Sequence, residues 1–281
     1  MVSLSESDAV TALQVALRSR QAGPGRSMAG KSEDSPVRPD ALIDGVASRA
    51  LADHALDQQG AWAVAGWPLE DVLHRSDGEP TAPTRRGLVR AMSAIDAEQS
   101  LDGIDHVIGQ EPALAYRLLV YLNSPGLGLR NGVSSLRHGF MMLGFQKLNA
   151  WLSQQLPTAS EDPDLRPVNA AMVLRGQLMA HLMDAGLEDD LRRELTLCGL
   201  FSQLDLVMNE PLRSSFARIP VSGRIVDATI GNAGPYAPAL RMAEALGLER
   251  PDALRALRLE YGVDAEEINR ALLRTLAAIA S

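Results

Sequence analysis

The sharpest enzymatic pattern in the chain is Gly25-Arg26-Ser27-Met28-Ala29-Gly30-Lys31-Ser32, which has the glycine, lysine and serine spacing of a phosphate-binding loop. Such a loop works when a hydrophobic strand leads into it and a helix leaves it, so that backbone amides and a helix N-terminus converge on the phosphates. Here a polar, helix-like stretch precedes it, and Pro36 and Pro39 interrupt any helix that would follow. The segment from Gln21 to Asp40 therefore reads as a Gly-, Ser- and Pro-rich linker, and a nucleotide-binding switch through residues 25–32 stands as a minor alternative.

Five histidines, His54, His74, His106, His138 and His181, are spread without the i, i+4 pairing or cysteine partners that mark a zinc site. His106 follows Asp105, a pair that fits a surface or capping position. Ser134 and Ser135 lie close to His138, but no Gly-x-Ser-x-Gly elbow surrounds them, and they fit helix caps better than a nucleophile. Gly126 and Gly128 are followed by Gly132 one residue too late for a dinucleotide loop. The single cysteine, Cys198, excludes an internal disulfide and sits in the apolar run TLCGLF, as a buried packing residue would. Met141, Met142, Met172, Met179 and Met183 read as core fillers, with an adaptable binding surface as the alternative.

The elements that carry these residues are helical. Val10, Leu13 and Leu17 form a helical stripe within residues 3–20, and helical periodicity returns over 41–57. The stretch GAWAVAGWPLEDV, with Trp62 and Trp67, has no assigned element. Gly78, Pro80 and Pro83 in DGEPTAPT, residues 77–84, oppose helix continuation and set the main boundary. From Arg85 onward the chain reads as successive helices joined by short loops. Pro112 opens one whose stripe is Leu114, Leu118, Leu119 and Leu122, and Asn123-Ser124-Pro125-Gly126 stops it. Ser134 or Ser135 caps the next, Gly144 ends it, and another follows with Leu148, Trp151, Leu152 and Leu156. Further helices are expected near 168–185, 189–209, 236–247, 251–261 and 265–280.

At 281 residues and 46 % hydrophobic side chains, the chain can bury a core without staples. Its 27 basic and 35 acidic residues leave a net charge of −8, which disfavours nucleic acid and anionic membrane as partners. No run approaches the roughly 18 apolar residues of a membrane helix. The N-terminus MVSLSESDAV lacks a basic region followed by an apolar run, so a soluble cytoplasmic protein is expected.

The segment EPALAYRLLVYLNSPGLGLRNGVSSLRHGFMMLGFQKLNAWL, residues 111–152, resembles the signature region of HDOD domains, bacterial signalling domains related to the HD phosphohydrolases. The likeness rests on the start at Glu111 to Leu114, the Asn123-Ser124 stop, the Ser135-Leu136 start and the Leu143-Gly144 step. It continues through residues 197–230, which are similar to the second half of HDOD domains found after EAL domains. GAWAVAGWPLEDV faintly resembles the end of an EAL domain, but fewer than 85 residues precede the boundary, too few for a barrel of about 240. Glu244-Ala245-Leu246 sits late in a C-terminal helix and is a coincidence.

The related hydrolases hold metal with separated His and Asp residues, including an adjacent His-Asp dyad after an apolar Gly-Leu-Leu step. The matching positions here, after Gly199-Leu200-Phe201, are Ser202 and Gln203, which do not replace an imidazole and a carboxylate. The resemblance thus implies an all-α, multi-helix HDOD bundle over 85–281, before which the chain's own patterning places an N-terminal helix plus linker over 1–40 and a small segment over 41–84. It implies a non-catalytic signalling protein without metal or other cofactor, which binds partner signalling proteins, with self-association into a homodimer left open, in pathways that often also use cyclic di-GMP enzymes. Expected contact residues are Asn123, Ser124, Arg130 and Arg137 around the loop between the signature helices, with Ser202 and Gln203 at the vacated dyad. The four loop residues have helix stopping and capping as a competing role. The alternative is a phosphohydrolase with unusual ligands such as Asp205, Asp227 or His181.

Overall fold

The computed structural model describes residues 2–21, 34–44, 46, 49–65, 79–127, 132–162, 165–183, 188–247 and 251–280. The phosphate-loop pattern at 25–32, Trp67, His74 and Arg130 lie outside the described residues. The chain divides into two compact units, Met1–Asp77 and Gly78–Ser281.

The first unit alternates strand and helix. β1 (Val2–Ser3), β2 (Leu42–Asp44) and β3 (Ala63–Val64) form a parallel sheet in that order, with Val2 opposite Ile43 and Leu42 opposite Ala63. Helix α1 (Glu6–Gln21) connects the first pair; α2 (Arg49–Asp53), prolonged by a π-turn at His54–Gln58, connects the second. Nothing in the residue pattern announces this sheet, and residues 42–44 are a strand although the helical periodicity of 41–57 predicts a helix there. The stripe expected on α1 is also not the buried one: Val10 and Leu17 are exposed, whereas Ala12 and Ala16 are buried. Ala12 joins Ile43, Val46, Ala52 and Ala55 in the core of this unit, where alanine lets a helix lie close against its neighbours.

The second unit is built of helices among its described residues. Thr84 caps α3 (Arg85–Asp96) by accepting from Gly87 N at 3.0 Å, and Ser100 caps α4 (Leu101–Gly109) in the same way. Next, α5 (Pro112–Leu122) opens on its proline and buries residues all round its axis, including Leu114, Leu118, Leu119 and Leu122, which marks it as a central helix. Ser135 caps α6 (Leu136–Leu143), and Gly144, at φ +78, turns the chain straight into α7 (Phe145–Gln155). The positive φ is the reason for glycine there. Trp151 of α7 is buried and stacks on Tyr121 with centroids 5.4 Å apart.

Helices α8 (Leu165–Leu182) and α9 (Asp189–Phe201) make the most extensive contact in the molecule. Short helices α10 (Leu204–Met208), α11 (Leu212–Phe216) and α12 (Gly223–Thr229) follow, then α13 (Ala237–Gly247), α14 (Pro251–Tyr261) and α15 (Ala265–Ala280), the last packed on α8. The expected helix over 189–209 is thus broken at Ser202-Gln203. Met172 and Met179 fill the core as expected, but Met141 and Met142 are 60 % and 52 % exposed, so the core-filling reading fails for this pair.

Candidate functional site

Two glycines set the geometry around α8 and α9. A Cβ on Gly199 would lie 2.6 Å from the Cα of Gly176, and one on Gly176 would lie 2.6 Å from the carbonyl oxygen of Thr196. The helices therefore cross backbone against backbone. Arg175 and the end of α9 form a polar cluster beside the crossing, and Gln177 of α8 lines a groove with Thr196 and Leu197 of α9.

At the polar cluster, the Ser202 hydroxyl donates to the carbonyl of Gly199 at 2.8 Å, which closes the last turn of α9 and stops it. The same oxygen accepts from Arg175 Nη1 at 3.2 Å, and that nitrogen lies 3.4 Å from Glu244 Oε1. The Arg175 side chain is only 13 % exposed. Burial pushes its pKa down, while Glu244 and Asp205 oppose the shift. Gln203 immediately precedes α10 and keeps a buried amide oxygen without a hydrogen-bond partner among the described residues. The position that the family likeness gives to a metal dyad is therefore a hydroxyl, an amide and a buried cation. These groups do not fit a divalent ion: the first two are weak ligands and the third repels it. Among the described residues no three His, Cys, Asp or Glu side chains converge in a way that could hold a metal. Cys198 is buried nearby, and burial pushes its thiol up to about 12, so it is not a reactive thiolate at neutral pH.

The groove has a volume of about 790 Å³ and lies between α4, the start of α6, α8, α9 and the segment leading into α12. Asp102 of α4 meets Arg137 of α6 in a close ion pair and lies 3.5 Å from Arg193 Nη2 of α9, both arginines reaching the same oxygen, Oδ1. Arg193 also pairs with Asp190 at 3.0 Å. Gln177, also in the lining, has a buried side-chain oxygen without a hydrogen-bond partner among the described residues. Burial pushes the Asp105 carboxyl above its ordinary range, against the opposing charge of Arg193. Glu194, which also lines the groove, is taken by Arg224 through two contacts of 3.1 and 2.5 Å.

Of the five expected contact residues that are described, only Arg137 lines this groove. Asn123 serves its own loop: Nδ2 donates to the carbonyls of Leu119 and Val133 at 2.7 and 2.9 Å, and Oδ1 accepts from Val133 N at 2.8 Å. Ser124 is half-buried just after α5. Ser202 and Gln203 belong to the polar cluster, away from the groove lining. The reading missed Asp102, Arg193, Gln177 and Arg175; a run of acid and arginine at the start of α9, Asp189 to Glu194, was the one visible signal.

Comparison with known proteins adds three findings. The family model described as HDOD domain matches residues 82–219. The chain is 23 % identical over 171 residues to the cyclic di-GMP phosphodiesterase CdgJ of Vibrio cholerae serotype O1, an alignment that covers 60 % of this chain and 39 % of that protein. The chain thus spans about two-fifths of that relative's length. The MmoQ response regulator of Methylococcus capsulatus superposes with a TM-score of 0.57 at 15 % identity, over 68 % of this chain and 97 % of that one, a likeness of fold.

Proposed function

Because this chain carries an HDOD domain over residues 82–219, we propose that it is a non-catalytic regulatory protein of bacterial signal transduction, acting through protein–protein contacts in the cytoplasm. The observation that carries this reading is Arg175. A guanidinium held by Ser202 and Glu244 sits at the position that the family likeness gives to a metal dyad, which supports a site without a metal-activated water. What remains is a rigid helical scaffold with a charged groove and an exposed pair of methionines, Met141 and Met142, at one end of α6. Flexible thioethers re-pack against different partners, which suits a docking surface. A signalling role fits the name borne by the curated relative, and on that basis we place the protein in a pathway that uses cyclic di-GMP.

The test is elemental analysis of untagged protein for Mn, Fe, Ni and Zn, paired with a phosphodiesterase assay. Less than a tenth of an equivalent of each metal and no turnover, by order of magnitude for a site lacking ligands, is the expected result. One tight equivalent with chelator-sensitive hydrolysis would sink the proposal and return the hydrolase alternative through Asp205, Asp227 or His181.

A further inference from the structure

Two guanidiniums converging on one carboxylate oxygen form the arrangement with which proteins hold a phosphate oxygen. In the groove that oxygen is supplied from within, by Asp102, whose side chain is 65 % exposed and which spans α4, α6 and α9. Exposed ion pairs of this kind are weak and give way to a better anion. Behind the arginines the wall is apolar, formed by Val173, Leu197, Leu200, Val221 and Ile225. Gln177 lines the same groove, and its side-chain oxygen is buried and has no hydrogen-bond partner among the described residues, an acceptor that an N–H reaching it would satisfy. At about 790 Å³ the space falls within the usual range for small-molecule sites, roughly 300–1,000 Å³.

The geometry points to a nucleotide site: a phosphate displaces Asp102 and is taken by Arg137 and Arg193, while a base lies on the apolar wall and donates an N–H to Gln177 Oε1. Phosphate alone would leave the apolar wall and the amide without use, and a purely apolar ligand would leave the two arginines without use. Asp102 acts as a built-in competitor that keeps the empty groove closed to stray anions. The site is separate from the Arg175 cluster, so it stands whether or not the protein's output is a protein contact.

The test is titration calorimetry on the full chain with cyclic di-GMP, GMP, ATP and inorganic pyrophosphate. At least one nucleotide is expected to bind saturably. Asp102→Asn, which removes the competitor from an exposed position, tightens that binding on the order of tenfold. Arg137→Met with Arg193→Met weakens it at least as much, and Gln177→Leu weakens the nucleotide but not pyrophosphate. Lys31→Ala leaves affinity unchanged, which separates this groove from the Gly25–Ser32 pattern. The proposal is overturned if neither wild type nor Asp102→Asn binds any nucleotide below roughly 1 mM, if pyrophosphate binds as well as the nucleotides, or if binding is lost in Lys31→Ala. The gain in Asp102→Asn keeps the test decisive even should the double arginine variant fail to fold.

Discussion

Glu111, the acidic residue that opens the family signature, works in the structure as a buried joint. It accepts from Thr84 Oγ1 at 2.7 Å and from Asn169 Nδ2 at 2.8 Å, tying the start of α3 to α8. Burial raises its pKa above the ordinary 4.5, the two hydrogen bonds opposing only in part. A raised carboxyl pKa means that the fold favours the protonated form. Ionised Glu111 therefore subtracts stability at neutral pH; that loss is relieved as pH falls through the raised value, and the relief is complete below the ordinary 4.5. Urea denaturation of wild type against Glu111→Gln should show the difference between them moving in favour of wild type on acidification. Glu111→Ala should cost about 1–3 kcal/mol at neutral pH, because Thr84 and Asn169 lose an acceptor. At Arg175, the substitutions Ser202→His and Gln203→Asp together should still fail to take up Ni or Mn, since a fixed positive charge about 4 Å away costs roughly 4 kcal/mol per unit charge of an incoming ion. Replacing Arg175 as well should allow uptake; stoichiometric metal in the double variant alone would contradict this. Ser202, Gln203 and Arg137 could be named from the sequence because each sits at a fixed offset from a recognisable step. Arg175, Arg193 and Asp102 could not, because their pairings join residues 27, 35 and 91 positions apart, and linear spacing carries no trace of that.

At the scale of elements, the crossing of α8 and α9 is the most exacting feature. Gly199→Ala would drive a Cβ into the Gly176 backbone, which no rotamer change relieves, and should cost about 3 kcal/mol, a fall in Tm of roughly 6–12 °C. Gly223→Ala, where no atom of the described residues lies within 4 Å of the added Cβ, is the control and should change stability by less than about 1 kcal/mol. Thermal unfolding of the two variants side by side checks both. The long amphipathic helices of the second unit were legible because proline starts, serine caps and glycine stops surround a full helical stripe, as in α5 and α6. Of the three short helices after Ser202, the first merges with the expected helix over 189–209 and the other two have no expected counterpart, since five to seven residues carry about two turns of periodicity at most. On α1 the periodic Val10 and Leu17 misled, and the small buried Ala12 and Ala16 carry the packing; a hydrophobicity pattern does not register how closely a helix must approach its neighbours.

For the molecule as a whole, the all-α character of the second unit follows from its helical periodicity, whereas the small parallel sheet of the first does not. Strands of two or three residues are too short to show alternation, and pairing between Val2 and Ile43 or Leu42 and Ala63 is a long-range fact. The net charge of −8 is a property of the entire surface. Micromolar protein should accordingly leave the gel mobility of a DNA duplex unchanged at physiological salt, and a retarded band would show a basic face that the overall balance conceals. The meeting of Gly176 with Gly199 also has a mechanical meaning. With no side chains between them to re-pack, any shift of α8 against α9 at this point meets backbone at once, and Arg175 of the polar cluster and Gln177 of the groove flank that meeting point on α8.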